Sequence, residues 1–226
     1  FQNPSGLTLS LQRRRELLCL ASGYGVPVVE DHAYAELRYE GEPIPALKAL
    51  DEEGLVIHLG TFSKIFSPGL RLGWSIAPRE ITEKLIIFKQ GTDQCSNTLG
   101  QMMALEFGRR GLIEQQIKAT IASLWRKKEL TLGALDKHFG DSVERTNPQG
   151  GFYTWATLPE GVDTVRMLDK AVKKRKVAYV AGPSFYVDRQ GGNQLRVCFS
   201  WLNGELIDEG IRRLREAVEE ELAIRA

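Results

Sequence analysis

Along the 226-residue chain, the spacing of apolar positions switches repeatedly between the period of a strand and that of a helix. Leu17, Leu18 and Ala21 predict an inward helical face over residues 10–23, with Gly23 or Gly25 placed to end it. Val26-Pro27-Val28-Val29-Glu30-Asp31 reads as a short buried strand with an acidic end, and residues 55–59 read as a second strand. Between them, Gly41, Pro43 and Pro45 make residues 37–50 an irregular crossing. Arg71-Leu72-Gly73-Trp74-Ser75-Ile76-Ala77 alternates as a third buried strand, stopped by Pro78. Helices are expected over residues 78–90, with Ile81, Leu85 and Phe88 on one face, and over 98–109, where Met102, Met103 and Phe107 read as core.

A much longer helical stripe begins at Gly111 and runs through Ile113, Ile117, Ile121, Leu124, Leu132, Leu135 and Phe139. A helix of that length can leave one domain and join the next, so the boundary is placed near its start. After it come a short strand at 143–145, a turn at Asn147-Pro148-Gln149-Gly150-Gly151, and an alternating strand at 152–155. A helix at 162–176, strand-like residues 177–180 and an alternating strand at 194–200 follow. A closing helix after Asn203 carries Ile207, Ile211, Leu214, Val218 and Leu222 as its apolar stripe. Strands alternating with helices up to residue 110 predict an α/β layer with a mainly parallel sheet, and residues 111–226 predict an α+β domain that includes the long linking helix.

Composition narrows the class without changing this outline. A hydrophobic share of 42% with 26% charged residues is that of a globular chain. No apolar run approaches the roughly 20 residues that cross a bilayer, and no signal peptide is read, so a cytoplasmic location is expected. Cys19, Cys95 and Cys198 are an odd set at irregular spacing, which argues against a disulfide framework and against a structural metal. A net charge of +1 gives no general pull toward nucleic acid, and the basic clusters at residues 13–15 and 173–176 sit in helical patterns as solvated faces.

The chemistry concentrates in Gly60 to Trp74, GTFSKIFSPGLRLGW. A small-residue turn after the second strand presents Lys64 between Thr61, Ser63 and, seven positions on, Arg71. A lysine just past a strand end is placed to lose hydration and act as a nucleophilic amine. The hydroxyls and the guanidinium suit a phosphate. Read alone, Lys64 is more simply a surface lysine, Asp31 a turn cap, Arg196 a solvated strand residue, and His32 and His58 structural histidines.

Taken together, the segment resembles the cofactor-lysine segment of the fold-type I enzymes that use pyridoxal phosphate (PLP). It is most similar to the class I/II aminotransferases, and in wording to 2-aminoadipate-type enzymes and the aminotransferase-like domains of MocR regulators. The resemblance covers nearly the whole chain. It implies a PLP-transferase large domain over residues 1–110 and a small domain over 111–226. It also implies a Schiff base at Lys64, a phosphate site at Arg71 with Thr61 and Ser63, and Asp31 on the protonated pyridine nitrogen. Asn3 and Tyr34 would bond the ring oxygen, and Arg196, with Asn3, would bind the substrate α-carboxylate. An α-amino acid and a 2-oxo acid are the implied substrates, and a homodimer the implied assembly. Phe1-Gln2-Asn3-Pro4-Ser5-Gly6 begins inside what resembles the family's Q-N-P-[ST]-G motif, so the chain is expected to be a fragment. Two alternatives stay open: the effector domain of a MocR-type regulator, and another PLP reaction such as a β-lyase.

Overall fold

A computed structural model describes residues 1–224 and separates the chain into two compact units. One is Leu9–Ile121, and the other joins Phe1–Thr8 to Ala122–Ala226.

In the first unit, α1 (Leu11–Tyr24) starts at Ser10, whose hydroxyl accepts from Arg13 N, and ends at Gly25 in the left-handed region. Then come β1 (Val28–Asp31), a single turn α2 (Leu47–Leu50), β2 (Val56–Thr61) and β3 (Gly73–Ile76). Helices α3 (Arg79–Thr92) and α4 (Thr98–Arg109) follow, and then the start of α5 (Leu112–Phe139). The sheet order is β1-β2-β3, with β1 parallel to β2 and β3 antiparallel to it. One of its two pairings is therefore parallel, where the sequence predicted a mainly parallel sheet.

Periodicity located these elements but misjudged their burial. Only Ala21 of α1 is buried, and Leu17 is exposed. Val29 of β1 is 61% exposed, and every residue of β3 is exposed. No residue of α3 is buried, and Met102 and Met103, expected in the core, stand open beside Phe66 and Phe107. Alternation says which side chains share a face, while burial needs a second layer over that face.

In the second unit, the rest of α5 buries Leu124, Leu132, Leu135 and Phe139. The unit continues through β4 (Glu144–Arg145), β5 (Tyr153–Thr157), α6 (Thr164–Lys170), β6 (Val180–Ala181), β7 (Gln194–Cys198) and α7 (Gly204–Ala223), and α5 shares one core with β5, α6, β7 and α7. The sheet order is β4-β5-β7-β6, antiparallel throughout. The expected helix over 162–176 runs as α6 and then widens to a π-helical stretch, Ala171–Arg175. Residues 177–179 lie outside β6, which pairs only Val180 and Ala181 with β7. Asn203 caps α7, whose Ile211, Leu214, Ala217 and Val218 close the core against Leu135, Ala156 and Leu195. Each such side chain contributes about 1.5–3 kcal/mol on burial.

Residues 1–8 fold into this second unit. The Thr146 hydroxyl donates to the Ser5 carbonyl at 2.7 Å. Gly6, at φ +70°, leaves no room for a Cβ, which would meet the Tyr153 carbonyl and Pro148. The chain start is thereby laid against β5.

Candidate active site

Register brings six of the candidate residues to one end of the first unit's sheet. Asp31 is the last residue of β1 and pairs with Leu59, and Thr61 ends the parallel strand β2. Because β3 runs back, its first residue, Gly73, pairs with Thr61. The turn carrying Tyr34, the Ser63–Lys64 loop and Arg71 therefore all leave the sheet at the carboxyl ends of β1 and β2, where open α/β sheets hold their ligands.

The Lys64 loop is pinned at both ends. Phe62 N donates to the Leu72 carbonyl at 3.1 Å, and the Thr61 hydroxyl donates to the same carbonyl at 3.2 Å. Thr61 Oγ1 in turn accepts from Ser63 N at 3.1 Å. Of the two hydroxyls, Ser63's makes no hydrogen bond among the described residues and stands free to donate. Lys64 Nζ lies 5.7 Å from the Tyr34 ring centroid. Arg71 follows the short 3-10 turn Pro68–Leu70 and holds φ +54°, an exposed residue whose Nη1 donates to the Pro68 carbonyl at 3.0 Å. A left-handed arginine is an uncommon conformation of the kind that clusters at binding sites.

Asp31 is exposed, and its Oδ1 accepts from Ala33 N at 3.2 Å, so it also caps its turn. Behind it lies a group that sequence reading passed over. Glu30 is buried and accepts from His58 Nδ1 (2.8 Å), Leu47 N (2.7 Å) and Lys48 N (3.2 Å). Burial alone raises this carboxyl, but the His58 and backbone hydrogen bonds outweigh it and hold Glu30 below the usual carboxylate range. The His32 ring tilts against His58 at 4.8 Å, and burial pushes its pKa down, which favours the neutral imidazole. The signal was present in the sequence. A glutamate at the inward position of an apolar strand requires a partner.

The remaining two candidates meet in the second unit. Arg196, on β7, donates from Nη1 to Asn3 Oδ1 at 2.7 Å, across nearly the full length of the chain. Its guanidinium lies 4.2 Å from the Tyr153 ring centroid, and Nε is buried with no hydrogen-bond partner among the described residues. Tyr153 and Phe185, which flank this arginine, were not singled out from sequence.

Comparison with known proteins assigns the family. The model for "Aminotransferase class I and II" matches residues 1–214. The chain belongs to the class I and II aminotransferases. Among the relatives of this chain is aromatic-amino-acid aminotransferase 1 of Thermococcus litoralis, 47% identical over 98% of this chain and 53% of the relative. Another is an uncharacterized HTH-type transcriptional regulator of Bacillus subtilis, 32% identical over 96% of this chain and 44% of the regulator. Among solved structures, the alpha-aminoadipate aminotransferase of Thermus thermophilus, complexed with N-(5'-phosphopyridoxyl)-L-leucine, superposes with a TM-score of 0.93. It is 36% identical, and the match covers 99% of this chain and 58% of that one. The chain thus spans about half the length of the curated relatives it matches.

Proposed function

We propose that the protein carrying this chain is a PLP-dependent aminotransferase that moves an amino group between an α-amino acid and a 2-oxo acid. The observation that carries this reading is the gathering of an amine, a carboxylate, a phenol, two hydroxyls and a guanidinium at one end of β1, β2 and β3. That donor set fits pyridoxal phosphate group for group. Lys64 suits its aldehyde, Arg71 with Ser63 and Thr61 its phosphate, Asp31 its pyridine nitrogen, and Tyr34 its phenolic oxygen. When bound, the cofactor supplies a ring that draws electrons away from the substrate α-carbon.

The chain's own residues do the rest. Lys64 would hold the cofactor at its aldehyde, and its amine would act as the base that accepts the proton from the substrate α-carbon on Nζ. The fixed negative charge of Asp31 holds a proton on the ring nitrogen. Arg71 and Ser63 anchor the phosphate with charge-assisted and neutral hydrogen bonds. Arg196, one Nη already on Asn3, offers its other donors to the substrate carboxylate. In this reading residues 1–110 are what the chain holds of the large domain, residues 111–226 are the small domain, and the complete protein is a cytoplasmic homodimer.

The test is a visible spectrum of the complete protein with PLP, before and after borohydride. Wild type is expected to absorb as a lysine-bound cofactor and to be trapped covalently by reduction. Lys64→Ala is expected to lose both signals, and a variant trapped as fully as wild type would remove Lys64 from its role.

A second reading, an effector-sensing domain of a transcription regulator, draws support from the regulator relative, which matches nearly the whole chain. Sequence upstream of residue 1 separates the two. A basic DNA-binding segment there decides for the regulator.

A further inference from the structure

Arg196 is held in an unusual way for an arginine at a site that handles anions. No carboxylate pairs with it among the described residues, and its one side-chain hydrogen bond is the one to Asn3. The guanidinium is instead flanked by two rings, with the Tyr153 centroid at 4.2 Å and the Phe185 centroid at 5.3 Å. The rings are themselves fixed. Tyr153 belongs to β5, paired directly with β7. Phe185 packs edge-on against Trp155 at 5.5 Å, and the next residue, Tyr186, donates its hydroxyl to Gln194 Oε1 at 2.8 Å.

The choice of rings has a physical consequence. A carboxylate partner would fix the guanidinium by consuming the donors that an incoming carboxylate needs. An aromatic face attracts the cation and sets its plane while leaving the N–H edge unspent. Beyond the one Nη1 bond to Asn3, the Nη groups keep the donors that such a grip leaves unspent, while Nε is buried and has no hydrogen-bond partner among the described residues.

We propose that Tyr153 and Phe185 are positioning residues that hold the plane of Arg196, so that its unpaired donors face a substrate carboxylate. The catalytic part of this proposal rests on the aminotransferase reading above, whereas the restraint on Arg196 does not.

The experiment uses the complete holoenzyme and the variants Tyr153→Leu, Tyr153→Phe and Phe185→Leu. Tyr153→Leu is expected to raise KM for the amino acid about tenfold with kcat within about threefold of wild type. Tyr153→Phe, which keeps the ring, should stay within about twofold of wild type. Inhibition by 3-phenylpropanoate should weaken in Tyr153→Leu in step with KM, while inhibition by phenethylamine, which has no carboxylate, should not change. Equal losses for both inhibitors, or Leu and Phe variants that behave alike, would overturn the proposal. Should Tyr153→Leu fail to fold, Phe185→Leu tests the opposite ring by the same criteria.

The relaxation order parameter of the Arg196 Nε–H group gives a readout independent of activity. It should fall in the Leu variants and hold in Tyr153→Phe. An unchanged order parameter refutes the restraint even if the protein never transaminates. Absence of both transamination and trapping at Lys64 in wild type would sink the enzymatic reading alone.

Discussion

At the scale of single residues, the chain places its charges by giving each a specific set of donors. Asp51 shows this most clearly. Its carboxylate accepts from Leu55 N, Val56 N and Lys48 Nζ, each at 2.9 Å. Burial pushes the group up, but the two backbone bonds and Lys48 more than offset it and hold its pKa at about 2, below the ordinary 3.8. The unfolded chain therefore takes up this proton more readily than the folded one. Asp51 contributes its full stability above its ordinary pKa and loses it as the pH falls through about 2. Urea midpoints should decline across that window, with Glu30, also depressed, adding to the decline in the same direction. Asp51→Asn should flatten the decline and cost roughly 1–3 kcal/mol at neutral pH. A variant with the wild-type pH profile would show that Asp51 is not the titrating group.

At the scale of elements, α7 closes the second unit through an apolar stripe and one buried charge. Glu221 is almost fully buried on α7, and Arg166 of α6 donates to its Oε1 from both Nε and Nη2. Glu221 Oε2 has no hydrogen-bond partner among the described residues. Removing only the arginine strands a carboxylate in the core, so Arg166→Ala should destabilise by about 3–5 kcal/mol. Adding Glu221→Leu should restore most of the loss, because a buried ion pair is replaceable by apolar packing. Chemical denaturation of the single and double variants checks both expectations, and additive losses would show that the two side chains are not coupled.

At this scale most of the fold was legible in the sequence. The stripes of α5 and α7, the caps at Ser10 and Asn203, and the alternation of β5 and β7 are local signals. The candidate groups, a lysine, a carboxylate and an arginine near strand ends, were legible in type. Their geometry was not, since hydrogen bonds such as Asn3 to Arg196 join residues nearly two hundred positions apart.

At the scale of the whole molecule, the two units differ in how completely they bury themselves. The second has a closed core, whereas the first leaves Phe88 of α3 73% exposed, Leu99 of α4 70% exposed and every residue of β3 exposed. So much apolar surface is uncommon on a free-standing chain. Residues 1–226 expressed alone should bind a hydrophobic dye and self-associate as concentration rises, as read by light scattering. A monodisperse monomer without dye binding would mean that these faces are not sticky in water.

What the sequence determined by itself was the identity and order of the elements and the kinds of functional group at their ends. Those follow from side-chain spacing, capping and backbone stiffness, all of which act over a few residues. Only the tertiary structure decided which faces are covered, which of two hydroxyls remains free, and that an arginine on β7 lies between two rings with its hydrogen bond reaching the start of the chain. These depend on contacts between distant segments, and no local pattern encodes a contact whose partner lies a hundred or more residues away.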